Sequence, residues 1–366
     1  MTALKFNPLY SISNKTANAL VRIEAVRQRI DFLPIHPSIL LSLRESAKLH
    51  STHYSTFIEG NRLTHEQVGQ VVATSQHFPG RDRDEAEVKG YYAAIHELEA
   101  TVARKGTVTE LTIQTLHALV MGGGKKGVKP TPYRQSQNVI RDSVTRAIVY
   151  LPPESKDVPK LMKQLTKWLR DTENKEIPCA IRAGVAHYQF ATIHPYNDGN
   201  GRTARLLTNL ILHLGGYDLK GLYSLEEYYA KNLPAYYDAI SIGPSHNYYM
   251  GRADADITKW VEYFCLGMAE SFEAIARRAE IGAKQGVSDQ YMDLRTLNAM
   301  QRKCLELLQK SNEIASSDIQ ALFNYKPRSA TALLSGWVSE GFLVITDPSR
   351  RTRKYGLSES YKHLLD

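Results

Sequence analysis

The residues best equipped for chemistry lie in one stretch, His194-Pro195-Tyr196-Asn197-Asp198-Gly199-Asn200-Gly201-Arg202-Thr203-Ala204-Arg205. Histidine is the side chain that accepts a proton near neutral pH. Asp198 offers one hard oxygen ligand, suited to a Mg²⁺ that also takes phosphate oxygens. Gly199 and Gly201 let a backbone approach an anion closely, and Arg202 and Arg205 add forked positive charge. The combination points to phosphoryl or nucleotidyl transfer to a hydroxyl, with His194 as general base. Gly199 to Ala204 also fits the dinucleotide pattern G-x-G-x-x-A, but no strand precedes it. A zinc site would need more nitrogen or sulfur ligands than His194 and Asp198 provide.

Two helical patterns must position these groups. Upstream, Ile181, Val185, Tyr188 and Thr192 recur at three- and four-residue spacing, and downstream Leu206, Leu210 and Leu214 do the same, widened by Leu207 and Ile211. Gly215-Gly216 ends the second pattern as a C-cap signal. The stretch is therefore a helix–loop–helix junction whose Gly-Asn-Gly turn opens the second helix. The first N–H groups of a helix lack internal partners and carry about half a positive charge, so that helix start is an anion site.

The stretch resembles the Fic motif, H-P-F-x-[DE]-G-N-G-R-x-x-R, of the Fic/Doc superfamily, with Tyr196 in place of the usual Phe. The resemblance extends over roughly residues 40–245. It implies a mainly α-helical protein with a Fic-type helical core and a β-hairpin flap. The implied activity is AMPylation, in which AMP moves from ATP to a Ser, Thr or Tyr hydroxyl of a protein and pyrophosphate leaves. By resemblance, His194 removes the hydroxyl proton and Asp198 holds Mg²⁺. Gly199, Asn200 and Gly201 form the anion hole, and Arg202 and Arg205 bind phosphates. Doc-type relatives that phosphorylate resemble this motif with Lys where Gly201 stands, so Gly201 argues against a kinase. The alternatives are removal of AMP in the same site and a DNA-binding regulator acting through the C-terminal module.

Ahead of that core, a helical segment runs from about Asn14 to Arg29, followed by breaks at Pro34 and Pro37. Leu40, Leu43, Ala47 and Tyr54 begin another, ending near Gly60-Asn61, and Thr64 with Gln67 forms a capping-box pattern. By itself Glu59 reads as a solvated carboxylate at a helix end. Beside the Fic motif, Ser55-Thr56-Phe57-Ile58-Glu59-Gly60 resembles the family's inhibitory signature, [ST]-x-x-x-E-[GN]. That resemblance implies that Glu59 pairs with Arg205, which otherwise receives the γ-phosphate of ATP.

Residues 85–120 read as two helices. Gly122 to Gly127 lacks the G-K-[ST] ending of a P-loop and reads as a flexible basic loop. Asn138–Arg141 and Ala147–Tyr150 are short β-branched runs around a polar turn, stopped by Pro152-Pro153. By resemblance they are the flap, which offers its edge to an extended target segment, and Pro132-Tyr133-Arg134 is its approach. Tyr228 to Tyr237 reads as one tyrosine-rich helix, and the resemblance makes Asn232 its polar contact on the adenine–ribose side. Residues 252–285 read as one long helix packing on the core. Beyond a boundary near Gly282–Ser288, the order helix, helix, helix, hairpin resembles a winged helix, with Asp347-Pro348-Ser349-Arg350-Arg351 as a basic wing tip.

The expected segments are thus 1–84 (helical, with the inhibitory helix), 85–250 (Fic core), 251–287 (packing helix) and 288–366 (winged-helix-like). A net charge of +8 suits anionic ligands. Cys179, Cys265 and Cys304 are odd in number and far apart, which gives no disulfide framework and favours a reducing cytoplasm. No N-terminal apolar h-region occurs, and no apolar run reaches the length of a membrane span. The expected partners are ATP, a hydroxyl-bearing target protein or the protein itself, DNA through the C-terminal module, and a second copy in a homodimer.

Overall fold

The N-terminal helices form where apolar spacing and caps place them. In the computed structural model, which describes residues 6–141, 145–173, 177–222, 224–242, 246–285, 297–349 and 352–365, α1 spans Asn14–Phe32, α2 Pro37–Ile58 and α3 His65–Thr74. Helix α2 ends in a Schellman arrangement: Asn61 N donates to Thr56 O at 3.1 Å and Gly60 N to Phe57 O at 2.9 Å, with Gly60 at φ 89°. The Thr64–Gln67 capping box is present at the start of α3. Helix α4 (Asp82–Ala103) carries Asp82, Asp84 and Glu85 in its first turn, where the helix dipole favours negative charge. Thr109 caps α5 (Glu110–Met121) by accepting from Thr112 N.

Strand β1 (Ile140–Arg141) pairs antiparallel with β2 (Ile148–Tyr150). The ladder is shorter than the β-branched runs because Asn138 is committed elsewhere. Its amide donates to Tyr196 O at 3.0 Å and its Oδ1 accepts from Val139 N at 2.8 Å. Helices α6 (Val158–Thr172), α7 (Cys179–Ile193) and α8 (Asn200–Leu214) follow. Helix α7 is buried nearly all round, so the expected one-sided stripe understates it. A helix that is apolar all round belongs at the centre of a core.

The tyrosine-rich segment differs from the expected single helix. It forms α9 (Glu226–Lys231) and α10 (Leu233–Ile240), broken at Asn232, which has φ −141° and ψ 70°. Pro234 has no N–H to continue the ladder, so the chain restarts with Asn232 as N-cap, its Oδ1 accepting from Ala235 N at 3.2 Å. The long helix also begins later than expected, as α11 (Thr258–Gln285). Asp256 is held instead in a parallel bridge to Leu9, and its carboxylate accepts from Thr258 N at 2.9 Å. Trp260, Phe264, Met268 and Phe272 are all buried on one face of α11, and Trp260 Nε1 donates to Gly184 O at 2.7 Å.

The chain divides into two compact units, residues 1–27 with 45–275, and residues 28–44 with 276–366. The expected N-terminal segment 1–84 is therefore shared between them. The second unit contains α12 (Ala299–Lys310), β3 (Ile314–Ala315), α13 (Ser316–Phe323), α14 (Pro327–Ser339), β4 (Leu343–Asp347) and β5 (Lys354–Leu357). Its sheet has the order β3-β5-β4, β3 being a strand too short to read from sequence. Leu305, Leu308, Ile319, Leu334, Trp337 and Phe342 are among the side chains of its own core. Asn298 caps α12, its Oδ1 accepting from Met300 N and Gln301 N at 2.9 Å each. Arg350 and Arg351 of the expected wing tip lie outside the described residues.

Candidate active site

The junction between α7 and α8 is held by its own side chains. His194 ends α7 in the left-handed region (φ 52°, ψ 61°), its N–H bonded to Phe190 O at 2.9 Å. Asn200 then grips Tyr196 by both backbone groups: Oδ1 accepts from Tyr196 N at 2.9 Å, and Nδ2 donates to Tyr196 O at 2.8 Å. Asn200 was expected in the anion hole. Its side chain is spent on closing the loop, which leaves only its backbone N–H for an anion. Gly199 sits at φ 76°, and a Cβ there would stand 2.8 Å from Met121 Sδ. The Tyr196 ring stacks on His117, with centroids 3.5 Å apart and 15° between planes, and so fills the aromatic slot expected of it. His117 Nε2 donates to Asp198 O at 2.9 Å.

His194 has one nitrogen engaged. Its Nδ1 faces Ala191 O at 3.3 Å, and a carbonyl can only accept, so Nδ1 carries the hydrogen and Nε2 keeps its lone pair. Burial lowers its pKa from 6.5 to about 4; the Ala191 carbonyl, Glu59 and Asp198 oppose that shift, and Arg134 adds to it. The ring is therefore neutral at neutral pH. Arg134 fixes the turn from beneath: its Nε donates to His194 O at 2.9 Å, and its backbone N donates to Pro195 O at 2.9 Å.

The two motif arginines face different carboxylates. Arg205, 1% exposed, donates from Nη2 to Glu59 Oε1 at 2.7 Å. It also donates to Ser55 Oγ at 2.7 Å and Ser55 O at 2.8 Å. Burial works against its charge, but the Glu59 carboxylate outweighs that and holds Arg205 above its ordinary pKa. Arg202 is equally buried and lies 3.8 Å from Glu87 Oε1 and 3.5 Å from Asp198 Oδ1. Glu87 is itself gripped by Arg83 and by Asn61, at 3.0 Å each. The position of Glu59 is the decisive feature. A Cβ added at Gly201 would lie 2.2 Å from Glu59 Oε1. A carboxylate thus rests on the first turn of α8, where an anion hole was expected.

Asp198 accepts from Gly199 N at 2.6 Å, and its side chain is 63% exposed at the mouth of the site. One exposed carboxylate is the donor set that suits Mg²⁺ completed by phosphate oxygens and water. Among the described residues no group of three or more His, Cys, Asp or Glu could hold an ion by itself. Asn232, at the break between α9 and α10, is exposed; its Oδ1 is used as a cap and its amide nitrogen points to no cap partner.

Residues 107–212 match the model of the Fic/DOC family. The matched residues, which include the whole His194–Arg205 junction, are similar to the Fic/DOC family. It is similar to the protein adenylyltransferase Fic of Drosophila sechellia, 30% identical over 200 residues, which are 54% of this chain and 39% of that protein. The Drosophila willistoni protein of the same name is 28% identical over 228 residues, 59% of this chain and 44% of its own length. The chain thus spans about two-fifths of the length of the curated relatives it matches. Its fold is that of a Fic family protein from Desulfovibrio desulfuricans, with a TM-score of 0.62 and 24% identity over 97% of this chain and 99% of that one. Fic-1 (aa134–508) from C. elegans superposes with a TM-score of 0.58 and 23% identity over 75% of this chain and 74% of that one.

Within the Fic core, several partners escaped the sequence reading. Ser55 was seen only as a pattern position, yet it makes two bonds to Arg205. Arg134 was noted only as part of the flap approach. Glu87 and the buried Glu226, which accepts from Tyr91, Asn209 and Ser224, gave no local signal. A lone carboxylate on a helix is ordinarily solvated, and only the fold shows otherwise.

Proposed function

We propose that this protein transfers AMP from ATP to the hydroxyl of a Ser, Thr or Tyr in a target protein or in itself, and that Glu59 holds the site closed at rest. The observation that carries the reading is His194, neutral and with Nδ1 committed to Ala191 O, at the mouth of a helix whose first turn has no side chain at Gly201. In the reaction, Nε2 of His194 takes the hydroxyl proton. The hydroxyl oxygen bonds to the α-phosphorus, the bond from that phosphorus to the β-bridging oxygen breaks, and pyrophosphate leaves with the electron pair. Arg202, Arg205 and the N–H groups of Asn200 and Gly201 neutralise the leaving charge, the Gly199 N–H being taken by Asp198 at 2.6 Å, as fixed donors do most effectively in a site that needs no reorganisation. Mg²⁺, held by Asp198 and phosphate oxygens, would supply further charge neutralisation. The amide of Asn232 is the candidate contact for adenine or ribose.

With Glu59 bonded to Arg205 and lying over Gly201, the γ-phosphate has no seat, so ATP is held unproductively. The same placement favours a second reading, hydrolytic removal of AMP, because a carboxylate above the helix start could orient a water toward the α-phosphorus. The C-terminal unit we read as a winged helix, and the compartment as the reducing cytoplasm. Labelling with [α-³²P]ATP and Mg²⁺ tests the transfer reading: Glu59→Gly is expected to label protein strongly and His194→Ala to label none. Equal labelling by these two forms would overturn it. Release of AMP from pre-labelled protein by wild type, lost in Glu59→Gly, would establish the second activity.

A further inference from the structure

We propose that the C-terminal unit binds double-stranded DNA through the outer face of α14, a function separate from the transfer chemistry. Helices α13 and α14 are joined by Asn324, Tyr325 and Lys326, with Asn324 in the left-handed conformation at φ 57°. This is a helix-turn-helix, in which the second helix is the one free to enter a groove. Ala330, Leu334 and Trp337 bury the inner face of α14. Arg328, Thr331, Ala332 and Ser335 are all exposed, and their three- and four-residue spacing puts them on one outer face.

The composition of that face argues for its occupant. A merely solvated helix face carries long side chains of both signs. Here the side chains are short, one is cationic and none is anionic. No Asp or Glu occurs between Asp318 and Glu340, although 38 are spread over the 366 residues. Exposed Lys326 immediately precedes the helix and adds positive charge at its start, and Arg353, at the β4–β5 turn of the same unit, is also exposed. Lys354 is committed to Glu313 at 2.9 Å and contributes less. Short side chains between spaced cations suit a helix about 10–12 Å across entering a major groove about 12 Å wide, with phosphates at the rims. A lipid surface would require an apolar row, which this face lacks. A-form RNA has a deep, narrow major groove that does not admit a helix.

The test uses the full chain and a fluorescently labelled random-sequence DNA duplex about three helical turns long. Anisotropy is followed between about 50 and 200 mM salt. Affinity is expected to fall linearly on logarithmic axes. Lys326→Glu with Arg328→Glu should weaken binding at least about tenfold and flatten the salt slope by about 2. Ala332→Arg should tighten binding, a gain that misfolding could not produce. Lys125→Glu with Lys126→Glu, on an exposed basic loop of the other unit, should leave affinity near wild type. The proposal is overturned if the full chain shows no salt-sensitive binding, or if the Lys326/Arg328 double variant binds like wild type. It is equally overturned if the Lys125/Lys126 variant loses as much, which would make overall charge the cause, or if duplex RNA binds as tightly as duplex DNA.

Discussion

His187 and His194 lie on the same helix, about two turns apart, and the regions around them have different tasks. His187 is fully buried, with Nδ1 facing the Thr208 hydroxyl and Nε2 facing the Tyr236 hydroxyl, both at 2.9 Å. Burial first, and then Arg205, pull its pKa from 6.5 down to about 3. Both of its nitrogens are used, so it ties α7 to α8 and α10, and a proton can be added only at the expense of that burial and one of those bonds. His194 is also neutral, but one nitrogen rests on a carbonyl and the other keeps its lone pair. Neutrality is common to both; under the proposed function, the nitrogen that His194 keeps spare is what would distinguish a base from a brace.

The comparison is broken most directly by substitution. His194→Ala should lower transfer by about 10²–10⁴ while ATP binding persists, because a general base acts on the target hydroxyl and not on the nucleotide. His187→Phe should leave the rate per folded molecule nearly intact but destabilise the fold. It removes one partner from each of the buried Thr208 and Tyr236 hydroxyls, and because Thr208 still donates to Ala204 O at 2.8 Å the total cost should be about 1–3 kcal/mol. If His187→Phe silenced transfer as His194→Ala does, at matched folded fraction, the division of roles would be wrong.

The next largest effect concerns access to the His194 region. Glu59→Gly should raise transfer at least about tenfold, since each ~1.4 kcal/mol of bias shifts a two-state population by ten. Arg205→Ala should not mimic it, because that change frees Glu59 while deleting the phosphate ligand, and the double variant should behave like Arg205→Ala. A rate that does not respond to Glu59→Gly would reduce the carboxylate to a structural contact. Smaller again is Asn200→Ala, which leaves the buried backbone N of Tyr196 without its partner and takes one of two donors from Tyr196 O, the Asn138 amide remaining. It should cost about 1–3 kcal/mol in denaturant unfolding, with the loss of activity following loop order.

The smallest effects are in the pH dependence, where the two histidines separate once more. Transfer requires neutral His194, so kcat/KM should stay level as pH falls through 6.5 and decline only toward about 4. For His187 the folded pKa lies below the unfolded one, so the unfolded chain takes up the proton first. Its stabilising contribution is complete above pH 6.5 and is lost as pH falls toward about 3. Thermal unfolding of His187→Phe should therefore depend less on pH across that window than wild type does. Parallel curves for the two forms would contradict the assignment.

The sequence by itself determined which side chains stand together in the His194–Arg205 stretch, the helices on either side of it, the helix end at Gly60 and the capping box at Thr64. These are local matters: apolar periodicity, caps and residue type act within a few turns. It misread the tyrosine-rich segment as one helix, although Pro234 was in view, because aromatic spacing outweighed a single breaker. It also ran the last core helix six residues too far upstream, where a bridge to Leu9 competes for the backbone. Only the tertiary structure decided which polar groups are spent and which are spare. Arg205 meets Glu59 across 146 positions, Arg134 supports His194 across 60, and Asn61 reaches Glu87 from the far side of a turn. Such pairings depend on which surfaces pack together, and no short-range pattern in the chain encodes that.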